Sequence, residues 1–486
     1  MTLALAVILL PFIAAFVLAA ITDASLQARI AFAVSVIVLA LSAVLALGSP
    51  WGGAPESNWL DNLLAFWILP DRIAALISLL VAVTAAARCW RRQRRAAVSR
   101  VMQPGQRRRR LTALPVTMEL LRIAEEASPP EARPEAVPAG APVRPAFNGG
   151  HPSAARRARY RMMAWPAGQI TLGGLIAACL AANPLSAWLG LVVAAAAARY
   201  REGRGLTDRA VLTAAALLLA MFGEVSMQAA LPGGLAAPLC LVIGYGTLAA
   251  VLPVSLPVVL LVLARHQGLL AGSLLGARMD SLLVWIGLAA ALICGSLLAF
   301  SGKSRRGAVI GAAPESARIV PPALITLGQG ALAAFAFGLG GSTAAFAATL
   351  HLVLLVLTGA SVSLSRPGES SRCAALAGLA GIPPFGVFPS LALILWAAIR
   401  QSPWTVAPLA AAILLLGWSA ITRLPPFVPA AADAHGRSRR VPAYAELAFS
   451  PDSIPAWLPL ALALLIGLFL PDSAADWLRQ APVGLP

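Results

Sequence analysis

Lysine is almost missing from this chain: Lys303 is the only one among 486 residues. No register can place a lysine inside an apolar span, which excludes a membrane-buried lysine as a proton carrier. Charge of either sign is scarce, at 12% against 59% hydrophobic residues. That balance excludes a single soluble domain, whose core could not hide so much apolar surface. The five cysteines (Cys89, Cys179, Cys240, Cys294 and Cys373) show no C-x-x-C or metal-ligand spacing and sit mostly in apolar stretches, so they read as small hydrophobes. Nucleophile constellations and phosphate loops are also missing, and the sequence gives no reason to expect an active site, a metal or a cofactor. The net charge of +17 does not point to nucleic acid, because the arginines cluster between apolar spans without a binding motif or interleaved aromatics.

What is present is a succession of apolar spans. Three come first, at roughly 2–22, 29–48 and 69–87. The first lacks a basic n-region and is long enough to span, so it is read as a helix and not as a cleaved signal. The segment 88–161 carries Arg91, Arg92, Arg94, Arg95 and the run Arg107 to Arg110, then turns rich in Pro, Ala and Glu. It reads as a long, mostly disordered loop, with a surface helix compatible with the spacing of Leu114, Met118 and Leu121. Its arginines serve either to retain the loop in the cytoplasm or to dock a partner subunit or anionic lipid.

After Trp165, two spans flank Asn183-Pro184, and a basic turn follows with Arg201, Arg204 and Arg209. Further spans are expected at roughly 212–227, at 234–264 with a break near Pro253 and Pro257, at a reduced piece 268–277, and at 281–300. Beyond the basic loop of Lys303, Arg305 and Arg306 come spans near 317–339 and 342–363. The stretch GIPPFGVFPSLALIL (381–395), a span at 406–421, a loop with Arg437, Arg439 and Arg440, and a last span at 456–470 complete the chain. Pro383 and Pro384 lack N–H groups and block the preceding turn, so the helix must break there. In lipid such a break is tolerated only where protein or a water-filled cavity satisfies the freed carbonyls, and transporters often place their sites at such breaks. Threading the spans with the amino terminus outside puts the basic loops on the cytoplasmic side of a bacterial-type inner membrane. The acidic loop with Glu56 and Asp61 then falls opposite, together with Asp472 and Asp476. That agreement requires about fourteen spans.

These stretches carry a family resemblance. GIPPFGVFPSLALIL resembles the G-[LI]-P-P-x-G-x-F-x-S-[KE]-x-x-[IL]-L segment of the antiporter-like subunits of respiratory complex I, Mrp-type cation/proton antiporters and group 4 membrane-bound hydrogenases. GYGTLAAVLP (244–253) is similar to the family's G-F-G-x-K-x-G-x-x-P, KSRRGAVIGA (303–312) to its D-L-K-R-L-L-A-Y-S-S, and AATLHLVLLVLTG (347–359) to its H-x-x-x-K-x-L-L-F-x-x-x-G. The resemblance covers roughly Trp165 to the end, and its terminal part is most similar to the hydrogenase-4 type F subunit. It implies an all-α polytopic fold with two inverted five-helix repeats, each holding a broken helix, and a row of buried ionisable residues that pass protons. The expected division is 1–88 for three amino-terminal helices, 89–164 for the basic loop, 165–300 and 301–422 for the repeats, 423–454 for a second basic loop, and 455–486 for the last helix and tail.

The family's proton-path positions are mostly apolar in this chain. Its lysine on the seventh helix falls at Leu248, the charged residue after the motif serine at Leu391, and the fifth-helix glutamate near Val193. Among acidic residues near span edges, Asp71, Glu224, Asp280 and Glu315 read as solvated helix ends. One position keeps a titratable group: His351 stands where the family has the lysine of H-x-x-x-K, and Ala347 where it has the histidine. His351, with Glu224 and Glu315, is the candidate relay; Pro253, Pro257, Pro383 and Pro384 are the candidate helix breaks.

Three functions follow as expectations. The first is a structural, antiporter-like subunit of a complex I-like (NADH-quinone oxidoreductase) or hydrogenase-type complex, with its own proton path degenerate and redox chemistry left to partner membrane and peripheral subunits. The second is a working proton or cation transporter subunit, Mrp-like or of an inorganic-carbon uptake complex, using His351. The third is an unrelated transporter whose broken helices hold a neutral substrate.

Overall fold

The computed structural model describes residues 2–48, 68, 72–101, 154–181, 184–202, 239–240, 242–244, 256–269, 274–300, 322–365, 369–384, 386–421, 453–470 and 475. Among them the chain forms α1 (Thr2–Ala20), α2 (Ala24–Gly48), α3 (Arg72–Val101), α4 (Ala154–Leu180), α5 (Pro184–Glu202), α6 (Leu256–Leu269) and α7 (Leu274–Phe300). There follow α8 (Pro322–Leu339), α9 (Gly341–Leu364), α10 (Ser370–Leu379), α11 (Phe388–Gln401), a 3-10 turn (Pro403–Thr405), α12 (Val406–Ile421) and α13 (Ile454–Leu468). No strand occurs among the described residues, only an isolated bridge between Ile68 and Ala181. The fold is all-α, and among the described residues four helices are long and apolar enough to cross a membrane: Leu3–Ala20, Ala24–Leu47, Gly276–Phe300 and Gly341–Leu364. Shorter apolar helices accompany them, as in a multi-pass membrane protein.

Two boundaries differ from the sequence reading. Helix α3 continues past residue 88 to Val101, and α4 already begins at Ala154. Arginine is a good helix former, and cations near a helix carboxyl terminus interact favourably with its dipole, so the arginine cluster extends α3 instead of ending it. The remainder of the basic loop, with its surface-helix stretch, lies outside the described residues. The reduced piece at 268–277 is not a helix of its own: α6 takes it up to Leu269, and α7 takes it from Leu274 onward. An apolar segment this short extends its neighbours more readily than it nucleates a separate helix.

Helix pairing rests on glycine. A Cβ added at Gly190 of α5 would lie 2.6 Å from Ala178 N and 2.7 Å from Gly174 O on α4. The pair α7 and α8 repeats this arrangement. A Cβ at Gly287 would meet Ala331 O and Phe335 N at 2.7 Å, and one at Gly338 would meet Val284 N at 2.6 Å. Backbone touches backbone in both hairpins, which is how membrane helices gain dispersion energy where lipid supplies no hydrophobic drive.

Of the four long apolar helices, α9 is the most deeply buried. Within its apolar window 83% of residues are buried, whereas the windows of α1, α2 and α7 stay mostly unburied. It packs against α3, α8, α10, α11 and α13. Burial at that depth obliges its polar side chains to find partners. Thr349 and Thr358 donate to Ala345 O and Leu354 O, one turn back, and Ser361 donates to Ala456 O at the start of α13 at 2.6 Å. At the far end of α11, Arg400 lies 5.0 Å over the Trp396 ring and Trp404 is exposed, an aromatic and cationic cluster of the kind found at membrane–water interfaces.

Gly190→Val or Gly338→Val is expected to force its helix pair apart and cost roughly 1–3 kcal/mol, read as a lower thermal midpoint of the purified protein in detergent. Gly359→Ala on α9, whose added Cβ meets none of the described residues within 4 Å, is expected to leave that midpoint unchanged.

Candidate functional site

The broken helix consists of α10 and α11, joined by residues 380–387, with Pro383 and Pro384 in the turn. Glycine makes the break possible. Gly381 adopts φ 81°, a left-handed conformation open to glycine, and ends α10 as a Schellman cap. Gly381 N donates to Gly378 O at 3.1 Å, and Ile382 N donates to Ala377 O at 3.0 Å. Val387 N returns to Gly378 O at 3.1 Å, with Gly386 (φ 64°) folded against Gly378. Carbonyls of Ala377 and Gly378 at the broken end thus find donors within the protein.

Against this turn, from the neighbouring α9, stands His351, fully buried. Its Nδ1 lies 2.9 Å from Ser390 Oγ in the first turn of α11, and its Nε2 lies 3.0 Å from Gln329 O on α8. A carbonyl only accepts, so Nε2 carries the hydrogen. The Ser390 hydroxyl has one hydrogen and two acceptors in reach, His351 Nδ1 and Val387 O at 2.7 Å. With Nδ1 unprotonated, the hydroxyl donates to it. With Nδ1 protonated, the hydroxyl accepts from the ring and donates to Val387 O. The same heavy-atom positions satisfy either state. What the site does not offer is charge: both ring partners are neutral, and burying an imidazolium without a counter-ion is costly.

Gln329 completes the cluster. It is fully buried, and neither Oε1 nor Nε2 has a hydrogen-bond partner. A Cβ built at Gly381 would lie 4.0 Å from that Nε2 and 2.5 Å from Leu391 Cδ1. The unpaired amide and Leu391, the buried leucine at the position where the family resemblance implies a charge, thus both lie at the turn of Gly381. Sequence reasoning passes over Gln329, although a lone amide between Gly328 and Gly330 in an apolar run was a signal. Ser390 is visible only as a motif letter.

The structure brings His351, Pro383 and Pro384 to one place. Pro257 is the second residue of α6, while Pro253, Leu248, Asp71, Glu224 and Glu315 lie outside the described residues. Val193 is partly exposed on α5, and Asp280 sits half-buried in the second turn of α7. Glu369, not singled out from the sequence, is buried at the start of α10, where its carbonyl accepts from Arg372 N and Cys373 N. A carboxylate there is favoured by the helix dipole. No His, Cys, Asp and Glu grouping able to hold a metal occurs among the described residues.

The geometry can be set beside known proteins. No family model matches the sequence, and no curated protein matches it. Solved structures do. A chain of the Mrp complex from Dietzia sp. DQ12-45-1b superposes with TM-score 0.60 at 14% identity over 100% of this chain and 52% of its own length. A chain of the membrane-bound sulfane sulfur reductase, an archaeal respiratory membrane complex, gives 0.58 at 15% over 99% and 97%. A chain of respiratory complex I from Thermus thermophilus gives 0.54 at 16% over 99% and 98%. This chain has the fold of these membrane-complex subunits. The antiporter-like resemblance read from the motifs is supported at that level, and the chain spans about half the length of the Mrp chain it matches.

Ser390→Ala would leave His351 Nδ1 buried without a partner, and the expected cost is about 1–3 kcal/mol. Gln329→Leu removes a donor and an acceptor that are already unpaired and is expected to leave stability unchanged or raised. Thermal midpoints of the two variants in the same detergent check both.

Proposed function

We propose that the chain is an antiporter-like integral membrane subunit of a redox-driven, proton-translocating complex of the complex I or membrane-bound hydrogenase type, serving as scaffold and docking element with its own proton path interrupted. The observation that carries this reading is the pairing of an intact helix break with an apolar residue, Leu391, beside it, in a chain whose only lysine is Lys303. A proton path needs titratable groups or water spaced across the bilayer. Among the described residues, the hydrogen-bond partners of His351 are a hydroxyl and a carbonyl. The fold shared with Mrp, sulfane sulfur reductase and complex I chains supports membership of a multi-subunit membrane assembly. On this reading the chain is a multi-pass subunit with two inverted repeats at 165–300 and 301–422, and the basic loops face the cytoplasm of a bacterial-type inner membrane.

A second reading, an active proton or cation transporter using His351, is favoured by one observation. The unpaired Gln329 amide beside the break offers a donor and an acceptor where a water could extend a relay from His351. The two readings separate in the assembled complex, reconstituted in vesicles and monitored with a pH-sensitive dye. His351→Ala is expected to leave proton pumping unchanged, whereas deletion of the chain is expected to disrupt assembly. A large loss of pumping by His351→Ala with normal assembly would establish the second reading.

A further inference from the structure

Glycines on membrane helices normally mark close packing, as at Gly174, Gly190, Gly287 and Gly338. Gly168 on α4 and Gly359 on α9 do the opposite: a Cβ added at either meets none of the described residues within 4 Å. Both line the same open-sided cavity, of about 420 Å³, bordered by described residues of α2, α3, α4, α6, α8, α9 and α10. Its wall is mostly apolar, formed by residues such as Leu172, Leu175, Val258 and Leu355. The volume falls within the roughly 300–1,000 Å³ range typical of pockets that bury small ligands.

Charge is confined to one end. Arg88 of α3 donates from Nε to Ser363 Oγ at 3.3 Å, and Arg372 of α10 donates to Val362 O at 3.4 Å, so both guanidinium groups rest on the last turns of α9. Both arginines line the cavity, and no acidic residue is among its described lining residues. Beyond Arg88 the sequence of α3 continues with Arg91, Arg92, Arg94 and Arg95, which places this end at a strongly basic face of the bilayer. An apolar chamber with a two-arginine rim at a basic membrane face matches an amphiphile with an anionic head and a hydrocarbon tail.

We propose that this cavity holds one acyl chain of an anionic phospholipid, with the headgroup phosphate held by Arg88 and Arg372. The lipid fills the space that Gly168 and Gly359 leave open and ties the amino-terminal helices to α9 and α10. This site is separate from the His351 cluster and does not depend on whether the chain conducts protons.

The test uses the complete assembly, equilibrated in vesicles of equal phosphatidylglycerol and phosphatidylcholine, extracted in mild detergent and examined by native mass spectrometry. One phosphatidylglycerol per chain is expected, retained on the order of tenfold over phosphatidylcholine. Arg88→Gln combined with Arg372→Gln is expected to abolish that preference. Gly168→Leu with Gly359→Leu, whose side chains enter the cavity, is expected to lose the bound lipid while still assembling. Should that pair fail to assemble, Gly359→Val alone carries the same expectation. Equal retention of both lipids by the wild type, or unchanged retention by an assembled filled variant, would overturn the proposal. So would displacement of the lipid by inorganic phosphate, which would make the site one for a free anion. A photo-crosslinker at Gly359 that captures a polypeptide in place of lipid would likewise overturn it.

Discussion

Helix α9 lies in the interior of a membrane protein because each buried polar side chain it carries has a partner inside the protein. Lipid offers no hydrogen bonds, so that condition fixes what can surround it. Threonines turn back on their own helix, Ser361 reaches α13, and His351 reaches α8 and α11 at once. The last of these is the strongest constraint, since the imidazole needs an acceptor on one side and a hydroxyl on the other. The break between α10 and α11 delivers that hydroxyl by starting a new helix at Phe388, two residues before Ser390.

The break therefore has a structural role that needs no ion. Left-handed glycines end one half-helix, backbone donors cap its carbonyls, and the next half begins with its serine against the histidine. What distinguishes such a scaffold from a transport site is charge, and here Leu391 and the unpaired Gln329 amide occupy the place beside the turn. A lysine or glutamate there would need water or a counter-ion, whereas leucine needs only packing. The structure thus separates two properties that usually travel together, a broken membrane helix and a titratable group at the break.

How much of this the sequence revealed depends on the kind of signal. Pro383 and Pro384 announce their break, because a missing N–H acts locally whatever the tertiary context. The all-α membrane class follows from composition in the same way. Burial does not: α1 and α9 are both apolar, yet one is open along much of its length and the other is enclosed. Likewise Gly190 and Gly359 read alike as letters, but one touches backbone and the other opens on a cavity, a difference decided entirely by neighbouring helices. The stretch at 268–277 looked like a span of its own because local hydropathy cannot tell a short helix from the ends of two longer ones. Gln329 is a weak signal in the sequence, because a lone amide in an apolar run gains its place at the break only when the turn at Gly381 is brought beside it.

The central claim is that the break is architecture and not a conduit. Its most direct test is the decay of an imposed pH gradient across vesicles containing the purified chain, measured with a sodium gradient of either direction and with none. The account predicts decay indistinguishable from protein-free vesicles under all three conditions. Faster decay that depends on sodium or is removed by His351→Ala would contradict it.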